Sequence, residues 1–295
     1  MTATSSPNRL NCGHADVNPL EPALLASLGL SFPKSYFSGK DMAGLASAIS
    51  ARRGWPMAML PFCSTVEAEA LGADIFLGGN QTGPRSGKLV HASVDEYLAL
   101  GREFDLGTPR VGALLEAVGI LAAEGLPPVV EISGPLGILA SFVDLGGIVK
   151  AWRKNPETVA RALRLVGRRV LGYALALRDA GARMLSYADP VGASGIVGPK
   201  FAQFLAESFL GGFLPGLAEA LGGLTVHLCP HASATLVSAG LGEFRRVGAP
   251  PDLNYPAACL ALRGRVKFLG KGCLKNVSLP GRVTEEFKFH DAGKK

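Results

Sequence analysis

The residues best suited to chemistry in this 295-residue chain crowd into one run, Leu224-Thr-Val-His-Leu-Cys-Pro-His231, where a β-branched apolar stretch acquires His227, Cys229 and His231. Alternate residues of a strand face one side, so the three project together if the strand continues through Pro230. Proline cannot donate to a sheet ladder, which predicts a strand that ends there with His227 and Cys229 at its C-terminal end. Imidazole and thiolate together suit zinc. A metal with three protein ligands and an open fourth position is a catalytic centre that holds a thiol as its nucleophilic thiolate. A lone His-x-Cys is a weak signal, more often a packed histidine beside a buried thiol than a ligand pair, and both readings stand at this point.

The elements that must position these groups are legible from Trp55 onward, where short apolar β-like runs alternate with segments of helical period between Gly and Pro punctuation. That alternation predicts βα units and a parallel sheet. The strands expected are Pro56 to Phe62, Ala73 to Leu77, Pro128 to Ile132, Met184 to Ala188, Leu224 to Cys229 and Val266 to Leu269. The clearest helix begins at Asn155 as N-cap with Pro156 at the first position, and runs to Gly181. A second helix follows Pro199 and is expected to break near Gly211-Gly212 and Pro215. Residues 1–40 read as an arm over one end of a single catalytic domain spanning 41–295. At the end of the expected strand Met184 to Ala188, Asp189 points to the same face as the His-x-Cys pair, either orienting substrate or capping the turn that follows.

Composition narrows the function classes. With 48% apolar residues the chain can bury a large core, which argues against disorder. The opening MTATSSPNRL lacks the apolar stretch of a secretory signal, and the most apolar region, Val129 to Val149, is interrupted by Glu131 and Asp144. A soluble, cytoplasmic protein with no membrane segment is expected. Five cysteines at 12, 63, 229, 259 and 273 have no compact spacing, unlike a disulfide framework. The net charge of +6 is spread over isolated pairs such as Arg52-Arg53 and Arg168-Arg169, and nothing in it calls for nucleic acid. Gly78 to Gly83 and Gly192 to Gly195 are glycine-rich loops that fit no nucleotide fingerprint.

Five segments then carry a resemblance: Ser64-Thr-Val-Glu-Ala-Glu-Ala-Leu-Gly-Ala73, Glu131-Ile-Ser-Gly-Pro-Leu-Gly137, Asp179-Ala-Gly-Ala182, Asp189-Pro-Val-Gly-Ala-Ser194 and His227-Leu-Cys229. In this order the chain resembles the corrinoid-protein:coenzyme M methyltransferases of the uroporphyrinogen decarboxylase superfamily, from about Asp41 to Phe287. The resemblance implies a TIM-type (β/α)8 barrel and a zinc site whose first two ligands match His227 and Cys229. It implies as activity the transfer of a methyl group from a methylcobamide carried on a partner corrinoid protein to a small thiol, such as coenzyme M, or to a pterin acceptor. Asp189 matches an acidic position of the family, and Glu67 and Glu69 match residues near its barrel mouth, although a solvated helix face is the default expectation for at least one of the two glutamates.

The resemblance fails at the C-terminus, where the family's third zinc ligand is a cysteine in a Pro-Gly-Cys-Gly context. This chain ends in His-Asp-Ala-Gly-Lys-Lys instead, so its last βα unit is expected to be missing or altered. Cys273, directly after the expected strand at Val266, is the first replacement candidate and His231 the second. Asp252 reads first as turn chemistry, Cys259 as core, and Cys12 with His14 as part of the polar arm. Two alternatives stay open: a decarboxylase-like lyase working with arginines and an aspartate, although its Arg-Gln-Ala-Gly-Arg-type motif is absent, and a non-catalytic binder of a corrinoid or porphyrinoid.

Overall fold

The computed structural model describes residues 21–290 apart from 249 and 251. Cys12 and His14 lie outside the described residues. The strands are β1 (Ala58–Leu60), β2 (Ile75–Phe76), β3 (Arg85–Ser86), β4 (Pro128–Ser133), β5 (Met184–Ala188), β6 (Val226–Leu228), β7 (Gly242–Arg246), β8 (Phe268–Gly270) and β9 (Glu285–Phe289). Seven form one sheet in the order β1-β4-β5-β6-β8-β9-β7. The first five of these run parallel. Helices intervene along the chain, as parallel crossovers require, and the fold is the mixed α/β type expected.

The altered last unit takes a definite form. Between β8 and β9 there is no α-helix, only a 3-10 turn at Gly281–Val283, so the chain returns as an antiparallel strand beside β8. β7 then pairs antiparallel with β9, and β1 and β7 end the hydrogen-bonded order. The expected strand at Ala73 to Leu77 exists as β2 but stands outside the main sheet, in an antiparallel ribbon with β3. β7 and β9 escape a search for apolar runs because their sequences, GEFRR and EEFKF, alternate charge with aromatics on half-exposed strands.

The helix Pro156–Asp179 matches expectation, with the Asn155 side chain accepting from the Glu157 N–H at 3.2 Å. The helix after Pro199 is interrupted by a π turn at Ala206–Leu210 and resumes through Pro215. A proline that cannot donate to the turn before it makes a local π distortion of this kind understandable.

Strand alternation separates two buried clusters. Ala58, Leu60, Val130, Leu185 and Val226 face the helices, in a cluster that includes Leu114, Val166 and Phe201. Met57, Met59, Val129, Met184 and Leu269 face the other way and pack with Leu45, Trp55, Tyr255 and Cys259. Cys259 is wholly buried there, a core residue.

Candidate active-site cavity

Sheet register sets the polar layer beneath the site. Glu131, Ser186, His227 and Leu269 are successive partners across β4, β5, β6 and β8, forming one row toward the C-terminal ends of the strands. Below it lies the apolar row Met59, Val129 and Met184. Polarity therefore begins where the strands are about to end, the end at which α/β barrels assemble their chemistry.

His227 is buried in that row and both ring nitrogens are engaged. Nε2 lies 3.1 Å from the Gly272 carbonyl oxygen and 3.2 Å from the Tyr255 hydroxyl, while Nδ1 lies 3.2 Å from Ser186 Oγ. A carbonyl only accepts, so Nε2 carries the proton and Nδ1 accepts from the serine. The Tyr255 hydroxyl donates to the Gly270 carbonyl, which leaves its oxygen free to share the Nε2 proton. Burial lowers the imidazole pKa to about 4, so the ring is neutral at pH 7.

As expected, β6 ends before Pro230. Cys229 caps the helix Pro230–Ser238, its sulfur accepting from the Ala232 N–H at 3.4 Å, and burial pushes its thiol up to about 12. Cys229, Cys273 and His231 line a cavity of about 260 Å³ at the C-terminal ends of β1, β4, β5, β6 and β8. His227, one layer deeper, is not among its lining residues. Apolar groups dominate the wall, with Ile49, Trp55, Met59 and Phe62 on one side and Pro190 and Pro230 on another. Among the described residues, Glu131 and Lys275 are its one carboxylate and one ammonium, and they pair at 2.8 Å.

The β1 side rests on a buried charged network. Arg110 donates from Nη2 to Cys63 Sγ at 2.7 Å and from Nη1 to Glu69 Oε2 at 2.7 Å, with the Thr65 hydroxyl at 3.2 Å. Burial raises the Cys63 thiol pKa and the Arg110 guanidinium opposes that rise. Glu67 is buried and accepts from the Ser133 N–H at 2.7 Å and hydroxyl at 3.0 Å, with its carboxyl pKa raised by burial. Neither glutamate occupies a solvated helix face. Cys63 and Ser64 carry this network to the cavity wall.

Asp189 is buried and lies between two wall residues, Ala188 and Pro190. Its oxygens accept from the backbone N–H groups of Leu136 and Gly137, both at 3.1 Å, at the start of the helix Pro135–Leu139. Burial raises its pKa to about 7 against those hydrogen bonds. A Cβ added to Gly134 would stand 2.2 Å from that of Asp189, so the Glu131 to Gly137 segment depends on glycine here. Asp252 is exposed.

The described donors do not converge on a zinc ion. Among the described residues no three His, Cys, Asp or Glu side chains come together to hold a metal. The proton on His227 Nε2 faces a carbonyl, and Cys229 and Cys273 face a cavity that His227 does not reach. In this arrangement the described residues do not fit zinc.

Several groups of the site, among them Arg110, Glu131, Tyr255 and Lys275, were not named as site residues from the sequence. Arg110 sits in register with the apolar stripe Leu114, Ala117 and Leu121 of the helix Pro109–Ala123, and a charge on an apolar stripe is a readable signal. Lys275 has no such signal, because only the turn after β8 brings it to Glu131.

Comparison with known proteins agrees with this architecture. Methylcobamide:CoM methyltransferase MtaA of Methanosarcina barkeri (strain Fusaro / DSM 804) is 26% identical over 265 residues, covering 88% of this chain and 77% of that protein. Methylcobamide:CoM methyltransferase MtbA of Methanosarcina acetivorans is 27% identical over 208 residues, 68% of this chain and 60% of that one. A solved methyltransferase from Methanosarcina mazei superposes with a TM-score of 0.62 at 24% identity, a likeness of fold; 74% of this chain covers 65% of that chain. No helix among the described residues is long and apolar enough to cross a membrane. The uroporphyrinogen decarboxylase (URO-D) description matches residues 20–241, from the first described helix through β6 to the start of β7, and the chain belongs to that family.

Proposed function

We propose that the chain is a methyltransferase that takes a methyl group from a methylcobamide on a partner corrinoid protein and places it on the sulfur of a small thiol. The observation that carries this reading is a small, largely apolar cavity at the C-terminal strand ends, in a chain whose similarity to a methylcobamide:CoM methyltransferase extends over 88% of its length. Apolar walls exclude water from a thiolate and from the methyl group it attacks, which strengthens every charge effect inside.

The transfer balances with the groups at hand. The acceptor thiol gives its proton to His231, its sulfur forms the new S–C bond, and the electron pair of the Co–C bond stays on the partner's cobalt. Glu131 and Lys275 hold the polar end of the acceptor. Asp189 is a positioning residue, fixing the Ala188–Pro190 wall through the Leu136 and Gly137 backbone. Cys229 and Cys273 shape the thiol-rich wall, and no step is routed through zinc. A tetrapyrrole lyase is disfavoured, because among the described lining residues one ammonium, already paired with Glu131, faces the several carboxylates of such a macrocycle.

The test is anaerobic incubation with free methylcobalamin and small thiols, read as conversion of the methyl–cobalt spectrum to that of cobalt(I) together with thioether formation. His231→Ala is expected to slow transfer by about 10²-fold, the size of a lost proton acceptor. A folded protein that demethylates nothing overturns the proposal. Elemental analysis of the same preparation is expected to give far less than one zinc per chain. About one zinc, lost in both Cys229→Ala and Cys273→Ala, would show that His227 turns to join them.

A further inference from the structure

Among the described residues, the one carboxylate and the one ammonium of the cavity wall stand against each other. Glu131 projects from the C-terminal half of β4 and Lys275 from the turn after β8, with Nζ and Oε2 2.8 Å apart and the side chains 19% and 25% exposed. Among the described residues the wall carries no other Asp, Glu, Lys or Arg side chain to balance a ligand's own charge. A bare anion entering here meets the lysine and the glutamate together, so attraction to one is offset by repulsion from the other in a partly desolvated setting where charge effects are strong. A head group bearing an ammonium beside a carboxylate meets both with opposite sign and completes a neutral four-charge ring.

We infer that the acceptor is a thiol carrying an α-amino-acid head, whose carboxylate pairs with Lys275 and whose ammonium pairs with Glu131. This deepens the methyltransferase reading and rests on it for the chemistry at sulfur. The short chain between head and sulfur lies against Met59, Phe62 and Trp55, apolar and aromatic surface well matched to a thioether product. The step is the one given above: the thiol proton goes to His231, the sulfur gains the methyl group, and the Co–C electron pair remains on cobalt. The product is an S-methyl amino acid of the methionine type.

Calorimetric titration of the full-length protein with L-homocysteine, L-methionine and 2-mercaptoethanesulfonate tests this directly. Both amino acids are expected to bind at least tenfold more tightly than the sulfonate. Glu131→Gln should reverse the preference, weakening methionine at least tenfold while strengthening the sulfonate, a crossover that a purely structural role does not produce. Lys275→Met should weaken all three ligands. Tighter binding of the sulfonate by the wild type, or equal weakening of both ligand types in Glu131→Gln, overturns the inference; where a variant fails to fold, the wild-type ranking decides. Methionine binding without any methyl transfer from methylcobalamin keeps the head-group assignment and removes the methyltransferase reading. Transfer to the sulfonate but not to homocysteine keeps the methyltransferase reading and overturns the assignment.

Discussion

The two sides of the cavity are built from different materials. On the β1 side Arg110, Glu69, Thr65 and Cys63 form a buried network around a full positive charge. On the β6–β8 side Ser186, His227, Tyr255 and the carbonyls of Gly270 and Gly272 are joined by neutral hydrogen bonds only. The thiols reflect the contrast. Burial raises both, but Cys63 faces a guanidinium at 2.7 Å while Cys229 faces a backbone N–H at 3.4 Å. Glu131 and Lys275 span the two sides, and the ligand-facing charge of the cavity is the bridge between them.

Replacing the charge should break the contrast most. Arg110→Leu leaves Glu69 without its cation and is expected to cost about 3 kcal/mol in denaturant unfolding, the low end for a broken buried pair because Glu69 is 23% exposed. On the neutral side Tyr255→Phe removes the donor to the Gly270 carbonyl and one partner of His227, an expected loss of about 1–2 kcal/mol by the same measurement.

Acid separates two buried groups of the site, His227 and Asp189, in sign. His227 has its folded pKa lowered to about 4, below the value near 6.5 of an unfolded histidine, so the unfolded chain binds the extra proton between those values. Its contribution is present above pH 6.5 and is lost as pH falls toward 4. Asp189 has its folded pKa raised to about 7 from 3.8, so the folded chain holds the proton and stability from this group is lost as pH rises over that interval. The two slopes oppose each other, each at most about 1.4 kcal/mol per pH unit. Between pH 4 and 6.5 the unfolding free energy of Asp189→Asn is expected to fall on acidification and that of His227→Gln to rise, with the wild type flatter than either. Parallel slopes in the two variants would remove the contrast. The smallest effect is expected for Cys63→Ser, whose hydroxyl still accepts from Arg110: a loss of less than about 1 kcal/mol in thermal or denaturant unfolding.

Strand and helix identity were largely legible in the sequence. Proline at the end of β6 and Asn155-Pro156 at a helix start are local signals, because a missing N–H or a capping oxygen acts within a few residues. β7 and β9 were not, since half-exposed strands of alternating charge and aromatics carry no apolar run. In the site, His227 and Cys229 were correctly placed at the end of their strand, and the strand period alone puts them on one side. It does not say how deep each lies.

The amino-acid sequence by itself determined the α/β alternation, the helix caps and the gathering of polar side chains at the ends of β4, β5 and β6. Only the tertiary structure decided that His227 lies in a covered row beside Ser186, that Cys229 opens onto the cavity, and that Glu131 meets Lys275 about 140 residues away in the chain. The physical reason is range. Periodicity and capping act over a few residues, whereas burial, proton placement and charge pairing depend on which distant segments the sheet register and the antiparallel return of β9 bring together.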